Sequence, residues 1–189
     1  MVDFEEDIKK AVAVLQNGGT LLYPTDTVWG LGCDATNEHA IEKLYSIKQR
    51  PKEKSWIILL ADARDILNYV AAPPPDIIAI VEQMTEPTTI IYDGAIDLAE
   101  NALHENGSIA IRVTNDPFCK ALIKRFRKPL VSTSANISGA ATPSVFSMID
   151  PIIIKNVDYV VTYQQEDNTV RAPSRIIRID DNGKIHRIR

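Results

Sequence analysis

A chain of 189 residues, 45% hydrophobic and 24% charged, has the composition of one ordinary globular domain that can bury a core without disulfide or metal staples. Its net charge of -4 argues against a general nucleic-acid coat, although basic residues cluster in 48–54 and 124–128. Cys33 and Cys119 are too few for a disulfide framework or a zinc site, and no apolar run approaches the roughly 18 residues of a membrane span. The acidic start (Asp3, Glu5, Glu6, Asp7) is the reverse of a signal peptide's, so a reduced, cytoplasmic setting away from membranes is expected.

Phe4, Ile8, Val12 and Leu15 recur at helical spacing, which predicts a helix over 4–16 stopped by Gly18-Gly19. Thr20 to Tyr23 is a short β-prone run broken at Pro24. Ile41, Leu44 and Tyr45 share a face of a second helix over 38–47, started by Thr36 or Asn37. Trp56 to Leu60 is continuously apolar, as in a strand covered on both faces. Helices are expected over 62–70 and 76–84, separated by three prolines, then strands over 88–92 and 109–113. Asp116-Pro117 caps and opens a helix that runs to about Arg127.

Leu130-Val131 reads as a short buried strand, and Thr142-Pro143 as the opening of a further short helix. Strands are expected over 157–162, 174–179 and 184–188, the last two joined by a turn at Asp181-Asn182-Gly183. This order predicts an α/β fold with a mixed sheet and flanking helices, not a simple doubly wound one. With no repeat and no linker, residues 1–189 are expected to form a single domain.

Neither standard glycine-rich phosphate loop occurs, nor a serine-hydrolase elbow, and His39, His104 and His186 lack ligand spacing. Three segments carry the remaining chemistry. Lys48, Arg50 and Lys54 follow a helix and precede a buried strand. They are either a solvated basic loop or a grip on phosphate oxygens, arginine as a fork and lysine as a point charge. Ser132, Thr133, Ser134 and Asn136 are either turn chemistry or a polar cradle, with Gly139 a turn or a place of close backbone approach. Tyr23 to Gly32 is either a small-ligand site that Trp29 shields from water or a structural turn with a core tryptophan. If the fold joins the first two segments, they frame a pocket for a polyanion such as a nucleoside triphosphate.

Taken in order, these segments resemble the YrdC-like family of threonylcarbamoyl-AMP synthases. Pro24-Thr25-Asp26-Thr27-Val28-Trp29-Gly30-Leu31-Gly32, Lys48-Gln49-Arg50-Pro51, Ile109-Ala110-Ile111-Arg112 and Ser134-Ala135-Asn136-Ile137-Ser138-Gly139 carry the likeness, which extends over nearly the whole chain. The resemblance implies a mixed, twisted sheet with a large open basic cavity. It also implies a nucleotidyltransferase reaction in which L-threonine, bicarbonate and ATP, with Mg2+ carried by the nucleotide, give threonylcarbamoyl-AMP and pyrophosphate. The product would feed a transfer machinery that modifies the adenosine beside the anticodon of tRNA, and direct contact with tRNA stays open.

Matched residue by residue, Lys48 and Arg50 look like the catalytic pair. Lys48, Arg50, Lys54, Ser108, Ser134, Asn136, Thr142 and Arg187 look like the ATP side of the site. Thr27, Arg112, Ser132 and Ser174 look like the threonine side, with Arg112 on the carboxylate. Leu59 stands where some relatives place a histidine, and Arg175 replaces a threonine after Ser174. On this reading Lys48→Ala and Arg50→Ala each remove most turnover and leave the thermal melt nearly unchanged. Two other readings are a catalytically silent YrdC-like module that binds RNA and a carbamoyl-adenylate-forming domain of the hydrogenase-maturation type.

Overall fold

The computed structural model describes residues 4–51, 56–180 and 184–188. Helix α1 (Glu5–Gln16) buries Ile8, Ala11, Val12 and Leu15, starts on three acidic residues that suit its N-terminal dipole, and stops at Gly18 in the left-handed region (φ 68°). Helix α2 (Glu38–Lys48) is capped by Asn37, whose side chain accepts from Ala40 N, and is closed by Gln49 in the left-handed region. Helices α3 (Ile77–Glu82), α4 (Pro117–Phe126) and α5 (Pro151–Asn156) follow. The last two share one opening device, an aspartate cap followed by proline at the first turn.

The strands are β1 (Leu21–Tyr23), β2 (Gly30–Asp34), β3 (Ile57–Leu60), β4 (Thr88–Tyr92), β5 (Ile109–Val113), β6 (Leu130–Ser134), β7 (Tyr159–Val160), β8 (Arg175–Ile179) and β9 (Ile185–Arg187). They form one mixed sheet, in the order β7-β1-β2-β6-β3-β5-β4-β8-β9. β3 runs parallel to β5 and β4 to β8, whereas β6 is antiparallel to both β2 and β3.

Strand alternation assigns the two faces. Ile58, Leu60, Ile90, Ile109, Ile111, Val131 and Ile177 point into a core completed by Ile41 and Leu44 of α2, Ile77 of α3 and Ile153 of α5. On the other face Leu21, Tyr23, Leu59 and Leu130 meet Ile8 and Leu15 of α1 and Phe118 and Leu122 of α4. Those two helices cover one end of their face and leave the other end open.

Asp7, buried in α1, fastens residues 159–163 to the start of the chain. Its carboxylate accepts from the Tyr159 hydroxyl (2.5 Å), the Thr162 amide and hydroxyl (3.0 and 2.9 Å) and the Tyr163 amide (2.9 Å). Burial alone would raise its pKa, but these hydrogen bonds together hold it below the ordinary carboxylate value.

Several elements differ from expectation. Residues 62–70 form a 3-10 helix, Ala63–Asn68, in which only Ala63 and Ile66 are buried, too little apolar surface to hold a full α-helix in place. Thr142-Pro143 opens no helix; a single 3-10 turn at Phe146–Met148 precedes α5. Strand β2 forms despite two glycines because a bare backbone is required there: a Cβ on Gly32 would lie 2.3 Å from the Val131 carbonyl and 2.8 Å from the Tyr23 ring. The expected turn at 181–183 lies outside the described residues. Among those described, no helix is long and apolar enough to cross a membrane.

Candidate active site

A cavity of about 330 Å³ occupies the uncovered end of the second sheet face. Its floor follows the strand register. Gly30 pairs with Ser134, and Ser132, Ile57, Ala110 and Ile91 stand in one cross-strand row, all lining the cavity. One pleat along, Arg112 pairs with Thr89, and Thr89 with Ile176. Thr27 and Val28, Arg50, Trp56, Thr133, Thr142 and Pro173-Ser174 supply the remaining walls.

At the β6 end, the left-handed turn at Gln49 sends its two neighbours in different directions. Arg50 lines the cavity, its guanidinium 4.6 Å from the centroid of the Trp56 ring. Lys48 goes underneath. Only 2% exposed, it donates from Nζ to the carbonyls of Ser134 (2.5 Å) and Asn136 (2.8 Å), while its own carbonyl accepts from Ser138 N (2.8 Å). Burial, with a smaller contribution from Arg50, pulls the Lys48 pKa down to about 7. The Asn136 side chain folds back on the same loop: Oδ1 accepts from the Ser134 hydroxyl (2.5 Å), and Nδ2 donates to Ile137 O and Ala140 O (3.0 and 2.9 Å).

At the other end, Arg112 (4% exposed) forms an ion pair with Asp26. Asp26 sits in a turn fixed by Thr25, whose hydroxyl accepts from Thr27 N (3.0 Å) and donates to Val28 O (2.8 Å). The Thr25 and Thr27 hydroxyls are also 3.0 Å apart. Ser174 is brought in by β8 and shares a hydrogen bond with the Thr89 hydroxyl (2.8 Å).

The fold therefore gathers Thr27, Arg50, Arg112, Ser132, Ser134, Thr142 and Ser174 around one cavity. Lys48 and Asn136 stand behind its β6 wall as supports of the loop, the Lys48 ammonium donating to two of its carbonyls. Ser108, just ahead of β5, keeps the parity of Ala110 and Arg112 but is not among the lining residues; its amide donates to Asn106 Oδ1. Arg187 is not brought to the cavity. It pairs with Ile177, so it shares that residue's face, opposite the cavity, on an edge strand. Lys54 lies outside the described residues.

The tryptophan of the glycine segment takes its structural reading. Trp29 is buried in the first core against Phe146, ring centroids 4.7 Å apart, and the aromatic wall of the cavity is Trp56 instead. The sequence reading also left out Asp26 and Thr89, the partners of Arg112 and Ser174. Asp26 was visible between two threonines, but nothing in a single sequence pairs it with an arginine 86 positions on.

Comparison with known proteins agrees with this architecture. The Sua5/YciO/YrdC family model, described as "Telomere recombination", matches residues 13–189. A protein of Pseudoalteromonas translucida (strain TAC 125) named threonylcarbamoyl-AMP synthase is 37% identical over 97% of this chain and 98% of its own length. One of the same name from Xanthomonas campestris pv. campestris (strain B100) is 34% identical over 82% of this chain and 84% of its own. Among solved structures, E. coli YciO superposes with a TM-score of 0.82 at 24% identity, covering 97% of this chain and 88% of its own. P. abyssi Sua5 complexed with L-threonine superposes at 0.83 with 20% identity, covering 94% of this chain and 52% of its own, so this chain spans about half the length of that one. Family model and relatives agree: the chain belongs to the Sua5/YciO/YrdC family.

Proposed function

We propose that this protein is an L-threonylcarbamoyladenylate synthase, acting as one domain over 1–189. The observation that carries the reading is the convergence of Arg50 and the β6 hydroxyls with Arg112 and Thr27 in one cavity, in a chain 37% identical to a protein of that name. The amine of L-threonine and bicarbonate condense to a carbamate with loss of water. A carbamate oxygen then attacks the α-phosphorus of ATP, and pyrophosphate leaves. Negative charge crowds at phosphorus in this step, so positioned cations and hydrogen-bond donors contribute more than a general base.

Arg50 takes the phosphate side, with the Ser134 and Thr142 hydroxyls as donors. Arg112, Thr27, Ser132 and Ser174 take the threonine side. Lys48 and Asn136 act from behind, fixing the loop that presents Ser134. A magnesium ion carried by the nucleotide would neutralise charge on the phosphates, and the Ser132 and Ser134 hydroxyl oxygens are hard donors that would suit its water shell. The product passes, in the cytoplasm, to the machinery that threonylcarbamoylates tRNA.

The test is pyrophosphate release by the purified protein. Release that requires L-threonine and bicarbonate together with ATP is expected. Release indifferent to threonine, or RNA binding with no turnover, would sink the reading.

A further inference from the structure

The sheet ends differently at its two margins. Strand β7 is two residues long and is tied to α1 through the Asp7 carboxylate, which accepts from Tyr159 and, just beyond it, from Thr162 and Tyr163. At the other margin no strand among the described residues pairs with the outer side of β9, and Lys184 to Ile188 are all exposed.

The hydrogen bonds to β8 fix which backbone groups face outward. Ile188 N donates to Ile176 O (2.8 Å) and Asp180 N to Lys184 O (3.0 Å), so residues 184, 186 and 188 turn their polar groups toward β8. Ile185 and Arg187 pair with Ile179 and Ile177 between those bonds, so their amides and carbonyls point away from the sheet. A short strand and a lysine are ordinary ways to blunt such an edge. Exposed isoleucines do the reverse. Ile185 (55% exposed) stands beside Ile179 on the core face, and Ile188 (61% exposed) beside the cavity-lining Ile176 on the other. A strand laid along β9 would cover both.

The side chains set the charge of such a strand. Residues 184–188 include no carboxylate. Arg178 and His186 pair with Asp93 and Asp180, whereas Lys184 and Arg187 make no ion pair among the described residues. Two copies meeting here with Ile185 opposite Arg187 would crowd both lysines and both arginines into one ladder, and like charges across strands repel. An acidic strand would complete that ladder.

We propose that the β9 edge is a docking site for an extended acidic segment of another protein, added as the next strand of the sheet. Its backbone would pair with Ile185 and Arg187, its carboxylates with Lys184 and Arg187. The partner would stand one strand beyond the β8 wall of the cavity, where Ser174 and Ile176 lie. Docking there does not depend on the reaction proposed for that cavity.

The test is amide exchange of the full chain, followed by NMR. The probe is a capped hexapeptide of alternating glutamate and valine, and its lysine-valine counterpart is the control. Without peptide, the amides of Ile185 and Arg187 should exchange as open backbone while those of His186 and Ile188 are slowed. Saturating glutamate peptide should slow Ile185 and Arg187 at least about tenfold, and the lysine peptide should not. Ile185→Pro removes one outward donor at a position where an edge strand tolerates proline, and should weaken the glutamate peptide about tenfold with the thermal melt little changed. A glutamate peptide that leaves both amides unprotected overturns the proposal, as do equal effects of the two peptides or undiminished binding by Ile185→Pro. Protection that grows with protein concentration alone would make a second copy the occupant and overturns it too. The wild-type measurements decide the matter even if Ile185→Pro does not fold.

Discussion

The two ends of the cavity hold a buried cation in opposite ways. At the β6 end, Lys48 is solvated by two uncharged carbonyls, and burial draws its pKa down to about 7. At the β5 end, Arg112 is compensated by the carboxylate of Asp26. The first arrangement spends a charge on loop geometry and keeps it only weakly. The second holds a charge beside a counter-charge. In the proposed reaction, one end positions and the other recognises.

Arg112→Lys tests the recognising end and carries the largest expected effect. It keeps a cation near Asp26 but loses the planar fork, and kcat/KM for threonine should fall about a hundredfold with KM for ATP little changed. Equal losses for both substrates would break the division of labour.

Lys48→Met tests the positioning end. It leaves the Ser134 and Asn136 carbonyls without their donor and should cost about 2 kcal/mol of stability in chemical denaturation, with turnover falling as the loop loosens. The expectation that removing this side chain spares the thermal melt therefore gives way for Lys48. Its titration has a sign. Between about 7 and the ordinary lysine value of 10.5, the unfolded chain binds a proton that the folded one has shed, so this group makes stability rise with pH across that window. Below about 7 both states are protonated and its contribution is flat. The difference in stability between wild type and Lys48→Met, followed from pH 6 to 10, should show that slope; a pH-independent difference would mean an ordinary lysine.

Arg50→Ala, two residues away, should raise KM for ATP about tenfold while the loss of its contact with Trp56 costs about 1 kcal/mol or less. Smallest of all, Ser174→Ala removes a partner of the Thr89 hydroxyl and should cost about 1 kcal/mol, with a threonine KM about threefold higher. A larger effect on ATP than on threonine would place Ser174 at the wrong end.

Much of the fold was legible because local signals agreed. Helices α1, α2 and α4 combine apolar spacing with a glycine stop or a side-chain cap, β3 is a continuous apolar run, and β4 and β5 are rich in β-branched residues. Helix α5 was missed although Asp150-Pro151 repeats the opening read at Asp116-Pro117, because the isoleucines at 152–154 look like strand. Strand β2 was hidden by glycines whose reason is the Tyr23 ring and the Val131 carbonyl, both supplied by other segments. In the site, residue types at Arg50, Ser132 and Ser134 announced polar chemistry. Which of Lys48 and Arg50 faces the cavity depends on one left-handed residue, Gln49, a conformation that glutamine does not advertise. The Asp26–Arg112 pair is a product of topology, since it needs the turn before β2 and the end of β5 to meet across the sheet.

The carboxylate of Asp7 has a consequence for the order in which the molecule is assembled. Helix α1 is synthesised well before residues 159, 162 and 163, which supply the donors to its buried aspartate, and β1 lacks its neighbour β7 until the same stretch exists. Until that stretch emerges, water must serve the Asp7 carboxylate and the β1 edge stays unpaired. Closure is a long-range event of the slow, high-contact-order kind, and the amino-terminal helix reaches its final state among the last elements to do so.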